Sequence, residues 1–314
     1  MGDLFASGGS SGYPTSLDTA TTQTDATPTI AFDATAARAS KINNLATGLI
    51  NVETALGTNP CLSYGSQGLV GTNNSGTPTT KYDFSADAVS LIRPSAGTGQ
   101  TRVVLTNTGT ITNDITVAGV TANGRDQAGA FSNNSWVYFY WIWNGTTLAT
   151  ISSIVAPPTG PTLPTGYTHW GYLCALRVTT TGPDFLNSYL RGSWIWYQSG
   201  ANVLSAGSAT TETAVSTSAR VPSNAGMVGL NGNLVYSSAT PNELNYVEIR
   251  LASGASAHTL YTAHTQVTTF NYRWDPNHII PNVGQNFYYI WNNANGTRVI
   301  SIAVTGYSNP NGAS

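Results

Sequence analysis

Charged side chains are scarce in this 314-residue sequence. They make up 8% of the residues, whereas an average soluble protein has about 25%. The formal net charge is −2, and the basic residues are scattered singly, so nucleic-acid binding, which needs a clustered basic face, is not expected. Because a net charge this close to zero suits a free monomer poorly, the composition favours a protein that is built into a larger particle.

Cysteines and long apolar runs are also rare. Cys61 and Cys174 lie far apart and outside any CxxC pair, so we expect free thiols rather than a disulfide scaffold. No run of 18 apolar residues occurs, and membrane insertion is not expected. The first residues lack the basic and apolar regions of a signal peptide, which predicts synthesis in a cytoplasm without a membrane anchor.

Patterns that carry catalysis are missing as well. The sequence has no Gly-x-Ser-x-Gly elbow and no phosphate-binding loop, and its acidic residues do not suggest the carboxylate pair of a glycosidase. His258 and His264 would lie about 20 Å apart along a single strand, so we interpret them as surface or turn residues. We therefore expect no catalytic residues, no metal and no cofactor.

The N-terminal part differs from the rest of the chain. Residues 1–32 are rich in Gly, Ser, Thr and Asp and predict an extended arm, either solvated or ordered against a neighbour. Asp33 is a suitable N-cap and Gly57 a suitable C-cap for a helix over 33–57. Its apolar residues recur at spacings of three and four, as in a coiled-coil seam; they are Ile42, Leu45, Leu49, Val52 and Leu56.

This helix is too short to be stable alone and must pack on something. One interpretation is a self-associating bundle, and the other is docking on its own chain. The narrow seam favours self-association, and leucine at a positions disfavours a dimer. We therefore predict an oligomerisation helix and a homotrimer.

The remaining sequence predicts an all-β structure. Residues 58–80 have a linker composition, and from Lys81 onward short apolar segments alternate with turn pairs such as Asn123-Gly124 and Asn144-Gly145. This pattern is typical of β-sandwiches and barrels. We predict two tandem, jelly-roll-like β-sandwich domains, at residues 81–190 and 191–314.

One aromatic phrase is written twice. Residues 139–144 read FYWIWN and residues 287–292 read FYYIWN. Asn144 of the first phrase begins an Asn-Gly-Thr turn, and a second Asn-Gly-Thr turn stands at residues 295–297 after the second phrase. Each turn is followed by an aliphatic segment and a Gly-Tyr pair. The phrase predicts the central strand of a duplicated domain. Because both of its faces are apolar, we expect both to be covered, one by the core and the other by a neighbouring domain or chain.

Tryptophan and tyrosine residues are the candidates for ligand or interface contact. Their rings bury a large area and keep an O–H or N–H group for hydrogen bonding. Exposed rings can also stack on the apolar faces of sugars. Filling of cores and interfaces is the interpretation we favour, with sugar binding as the alternative. The candidates are Trp143, Tyr167, Trp170, Trp194, Trp196, Trp274 and Trp291.

The helix segment resembles bacteriophage virion appendage proteins of the tail-fibre and head-fibre type. The matching stretches are DATAAR at residues 33–38, INNL at 42–45 and INVETALG at 50–57, with weaker similarity in KYDFSAD at 81–87 and DQAGA at 126–130. The resemblance supplies no catalytic residues. It implies a structural protein of the virion, made in the host cytoplasm.

In such a protein the arm and helix would attach and trimerise the chain, and the β-domains would contact the host surface or neighbouring virion proteins. The expected partners are other copies of the chain and other virion proteins, with a host-surface glycan as a further candidate. A trimeric tail fibre is the first expectation. The alternatives are a capsid decoration or head-fibre protein and a carbohydrate-binding module.

Overall fold

The computed structural model of the protein describes residues 65–93, 101–179, 185–237, 243–255, 258–265, 270–292 and 296–310. The predicted arm at 1–32 and the predicted helix at 33–57, including the seam from Ile42 to Leu56, lie outside these ranges. Cys61 also lies outside them.

The described part of the chain is all-β, as predicted. It contains no helix, and thus none that is long and apolar enough to cross a membrane. The pairs between strands are antiparallel. The strands are β1 (Gly65–Gln67), β2 (Val70–Asn73), β3 (Lys81–Ser85), β4 (Ala88–Arg93), β5 (Thr101–Thr106), β6 (Ile111–Asp114), β7 (Trp136–Trp143), β8 (Leu148–Ser153), β9 (His169–Arg177), β10 (Ser188–Arg191), β11 (Trp194–Gly207), β12 (Thr213–Ser216), β13 (Met227–Ser237), β14 (Glu243–Arg250), β15 (His258–Thr265), β16 (Phe270–Pro281), β17 (Asn286–Trp291) and β18 (Thr297–Ser308).

These strands form three sheets. A six-stranded sheet has the order β1-β4-β9-β7-β8, with β5 also paired to β4. An eight-stranded sheet has the order β16-β13-β18-β11-β10-β2-β3-β6, and a four-stranded sheet has the order β12-β17-β14-β15.

The eight-stranded sheet combines strands from both predicted domains. Its β10 and β11 form a hairpin across the predicted boundary after residue 190, with Leu190 opposite Ile195 and Arg191 opposite Trp194. Side chains from both sides of this boundary also contribute to one core cluster, among them Phe139 and Ile302. The division into two tandem sandwiches at 81–190 and 191–314 stays a prediction.

Strand β7 carries the first aromatic phrase and is buried on both faces. Phe139 and Trp141 belong to the main core cluster, whereas Tyr140 and Ile142 on the opposite face belong to a second cluster. The expectation that both faces are covered is confirmed for this strand.

The cover on the second face differs from the prediction. It comes from connecting segments of the same chain, which supply the partly buried side chains of Ala122, Ala156, Leu163 and Tyr167, rather than from a neighbouring domain or chain. The hydroxyl of Tyr140 donates a hydrogen bond of 2.6 Å to the Val155 carbonyl in one of these segments. The connecting segments can cover the second face of β7 because they carry apolar side chains that pack against it.

Strand β17 carries the second aromatic phrase and is buried on one face only. Phe287, Tyr289 and Trp291 are buried, while Tyr288 and Ile290 are partly exposed. Like β7, it lies between two other strands of its sheet. The strands that follow are connected differently, because β8 pairs with β7 whereas β18 crosses to the eight-stranded sheet.

Buried polar groups join β6, at one edge of the eight-stranded sheet, to β8 of the six-stranded sheet. The Asn113 amide donates to the Gly124 carbonyl and to Thr150 Oγ1, both at 3.2 Å. Ser152 Oγ donates to the same Gly124 carbonyl at 2.9 Å, and the Arg125 guanidinium donates to the Ile115 carbonyl at 2.9 Å. These bonds compensate the cost of burying polar side chains where the two sheets meet.

Two segments differ locally from the sequence-based expectation. The alternating residues 114–118 predict a strand, but β6 ends at Asp114, because Asp114 Oδ1 accepts hydrogen bonds from the backbone N–H and the hydroxyl of Thr116 and so forms a turn. The expected linker at 58–80 contains β1 and β2, which pair into different sheets. Glycine-rich composition thus did not prevent pairing.

Candidate functional site

Several of the candidate aromatic residues lie in the core. Only 6% of the surface of Trp170 and 1% of that of Trp291 is accessible to solvent, so neither side chain can contact a ligand. The indole of Trp170 meets the Tyr140 ring edge to face, and the Trp291 Nε1–H donates to the Gly207 carbonyl at 3.2 Å. Trp143 and Tyr167 are partly buried and pack against the two core clusters.

Trp194 and Trp196 lie on the opposite side of the eight-stranded sheet from the core. Between them, Ile195 is fully buried, and since successive side chains of a strand alternate between faces, both indoles point outward. Both remain partly exposed. Trp274 lies on β16, and its side chain is not among those that the structure describes.

The two indoles form a stacked pair on this outer face. Their ring centroids are 5.1 Å apart and their planes differ by 16°. Tyr189, which is 42% exposed, lies opposite Trp196 on the neighbouring strand β10. We call Tyr189, Trp194 and Trp196 the aromatic platform.

Glycine residues on β18 and β13 form the surface beside Trp196. Gly306 lies opposite Trp196, and Gly229 lies opposite Gly306 on the next strand. A Cβ at Gly306 would lie 3.1 Å from Cε3 of the indole and would overlap the Ile195 carbonyl oxygen, and one at Gly229 would lie 3.7 Å from Cζ3 of the indole. The absence of a side chain at Gly306 lets the indole lie against the sheet, whereas a Cβ at Gly229 would meet Thr305 Oγ1 at 2.9 Å.

A polar groove lies farther along the same face of the sheet, and its lining includes none of the three platform residues. Asn202 and Asn231 lie on either side of Ala303, and Asn233 lies between Ser301 and Arg273. The cavity has a volume of about 500 Å³, and its lining consists of Gly200, Asn202, Asn231, Gly232, Asn233, Arg273, Ser301 and Ala303. We call this cavity the asparagine groove.

The chemistry of the asparagine groove is that of neutral hydrogen bonding. Each asparagine amide offers two N–H donors and a carbonyl acceptor, and none of the lining residues is acidic. Together with the aromatic platform, the face presents flat apolar rings beside convergent donors and acceptors, which is the composition of a small-molecule or glycan site.

The sequence predicts the platform indoles as candidate residues but not the asparagine groove. One local pattern does indicate part of the groove: in Asn231-Gly-Asn233, alternate polar residues share one face of a strand. The remaining groove residues come from β11, β16 and β18, and no local pattern shows that these strands are adjacent to β13.

The other chemical candidates do not assemble a site. Cys174 is a buried free thiol, and burial raises its pKa well above the ordinary value, which disfavours the reactive thiolate. Within the described ranges, no three His, Cys, Asp or Glu residues are placed to hold a metal ion. His258 and His264 lie on β15, and their side chains are not among those that the structure describes.

Comparison with known proteins gives no family. No protein-family model matches the chain, and no curated protein matches it. A structure of infectious bursal disease virus, Gx strain, is 12% identical at a TM-score of 0.22, covering 80% of this chain and 71% of the matched chain. A structure of the Gt strain is 11% identical at a TM-score of 0.17, covering 73% and 56%. TM-scores this low support no conclusion about a shared fold or function.

Proposed function

We propose that the chain is a structural protein of a virus particle, a trimeric appendage of the tail-fibre type whose β-body displays a binding face. The observation that carries the proposal is the eight-stranded sheet, which buries one face in the core and leaves the aromatic platform and the asparagine groove open on the other. A displayed appendage needs such a face to contact a host surface or a neighbouring virion protein.

The composition of the chain supports the same role. With 8% charged residues and a net charge of −2, the surface is neutral and polar, which suits permanent assembly better than free solution. The resemblance of residues 33–57 to phage appendage helices supplies the means of assembly, through the seam formed by Ile42, Leu45, Leu49, Val52 and Leu56.

Immunogold electron microscopy tests the assignment to a particle. Antibodies raised against the purified chain are expected to label virus particles at regular positions, at the tail if the chain is a tail fibre. Labelling spread over the capsid would support the decoration or head-fibre alternative instead. Particles purified from the producing culture that carry no label would contradict the proposal.

A carbohydrate-binding module is the second candidate function, because the stacked pair of Trp194 and Trp196 is partly exposed beside a polar groove. Such a module is expected to show no association with virus particles, and a monomeric solution mass would favour it over the trimeric appendage. The two functions are therefore separated by the labelling experiment and by the mass of the chain in solution.

A further inference from the structure

We propose that the aromatic platform and the asparagine groove form one continuous binding site for a neutral glycan of several hexopyranose units. The inference deepens the proposed function, since it names the ligand class of the displayed face. Its chemistry concerns only described residues of the β-body and does not depend on the N-terminal helix.

The platform supplies the apolar contact. Indole rings bury a large area and interact through their faces, and one side of a hexopyranose ring presents a patch of C–H groups that fits such a face. Trp194 and Trp196 stack on each other, so a sugar ring would contact the ring faces that this pair leaves exposed. Gly306 adds no side chain beside the pair, and the Thr305 hydroxyl, 2.9 Å from the position of a Cβ at Gly229, lies next to the same surface.

The groove supplies the polar contact. Asn202 and Asn231 flank Ala303 from the two strands beside β18, so their backbones are about 10 Å apart at a strand spacing of about 4.8 Å. The small Ala303 side chain leaves the floor between them shallow. Amide groups on both walls match the alternating donors and acceptors of sugar hydroxyls.

The separation of the two parts sets the length of the ligand. A β-bulge at Thr305 of β18 brings Gly306 and Ala303 onto the same face. Along the partner strand β13, Gly229 beside the platform and Asn231 in the groove are two residues apart, or about 7 Å by strand rise, and Asn233 is about 13 Å from Gly229. A single sugar ring does not reach from the platform to Asn233, whereas a linear oligosaccharide running along β18 does.

Uncharged polar groups outnumber charged ones in the lining of the groove, which favours an uncharged polar ligand over a protein partner. The groove contains three amides, a hydroxyl, small residues and Arg273 as its ionisable group. A protein interface of ordinary size is centred on a well-packed apolar patch. Here the centre of the face is a polar groove of about 500 Å³, which is the size of a ligand site.

Titration calorimetry of the full chain with neutral oligosaccharides tests the site. The probes are linear hexamers of glucose, mannose, galactose and N-acetylglucosamine, each beside its monosaccharide. We expect at least one hexamer to bind and its monosaccharide to bind much more weakly. Trp196→Ala is expected to reduce affinity about tenfold or more, as for a central aromatic anchor.

Asn231→Ala and Asn233→Ala provide a second test, because they are surface changes that leave the core intact. Each is expected to reduce affinity about three- to tenfold through lost hydrogen bonds. Tyr288→Ala is the matched control, since Tyr288 is a partly exposed aromatic residue on a different sheet. This variant is expected to bind the oligosaccharide with the affinity of the wild type.

Two results would overturn the inference: no hexamer binds, or binding is unaffected by both Trp196→Ala and Asn231→Ala. A change of oligomeric mass in Trp196→Ala, with no glycan binding, would assign the face to a subunit contact instead. Light scattering on the same samples separates the two proposals, because a trimer that fails to bind glycan overturns only the ligand.

Discussion

Gly306 permits the close approach of β11 and β18 beside the aromatic platform. A Cβ there would overlap the Ile195 carbonyl oxygen, which is backbone and cannot rotate away. We expect Gly306→Ala to lower the free energy of unfolding by about 1–3 kcal/mol, as overpacking does, measured by urea denaturation. Gly129→Ala is the control, because nothing lies within 4 Å of a Cβ at Gly129. Equal stability of the two variants would contradict the close contact.

The two aromatic phrases give a matched comparison at the scale of the strand. Ile142 in β7 is fully buried in the second core cluster, whereas Ile290 at the same place in the phrase is partly exposed on β17. We expect Ile142→Ala to cost about 2–5 kcal/mol of unfolding free energy and Ile290→Ala about 1 kcal/mol or less. Equal costs in thermal or urea denaturation would mean that the connecting segments do not cover β7.

The end of β14 is held by an acid-sensitive contact. Glu212 accepts hydrogen bonds from Ser253, the Gly254 N–H and Arg250, and these bonds, that of Ser253 foremost, lower the pKa of its carboxyl below the ordinary 4.5. A lowered folded-state pKa stabilises the fold above the unfolded value, and this contribution is lost as the pH falls through the folded value.

We therefore expect the free energy of unfolding to fall less in the Glu212→Gln variant than in the wild type as the pH is lowered from neutral to below 4.5. Urea denaturation at a series of pH values measures this fall. Ser253→Ala should flatten the pH dependence in the same direction, because it removes the largest cause of the lowered pKa. Identical pH profiles for the wild type and both variants would show that this contact does not contribute.

Sequence patterns predict some of the local elements but not their arrangement. The unbroken apolar segment from Trp136 to Trp143, flanked by polar turn residues, predicts a strand with the bounds that β7 has. Alternation along a strand puts Trp194 and Trp196 on one face of β11, but it does not show which face is buried, since Ile195 is also apolar. The surroundings of the two indoles include Gly306 and Gly229, which are distant in sequence and come close to Trp196 only through strand pairing.

At the scale of the whole molecule, strand order is the property that the sequence did not predict. β10 pairs with β2 from the expected linker, placing Leu190 opposite Gly71. β18 does not join the four-stranded sheet that contains β17, but lies between β11 and β13 in the eight-stranded sheet. Such pairings depend on contacts between distant residues, and an alternating pattern is compatible with many partners. This order brings the platform and the groove onto one face.

The solution mass of the full chain is the decisive test of the proposed trimeric virion appendage. Light scattering at several dilutions is expected to give a constant mass near three times 32.9 kDa. Leu45→Asp, which places a charge in the predicted seam, should reduce the mass to that of one chain, whereas Asn44→Asp beside the seam should not. A wild-type chain that is monomeric at every dilution would contradict the trimeric appendage.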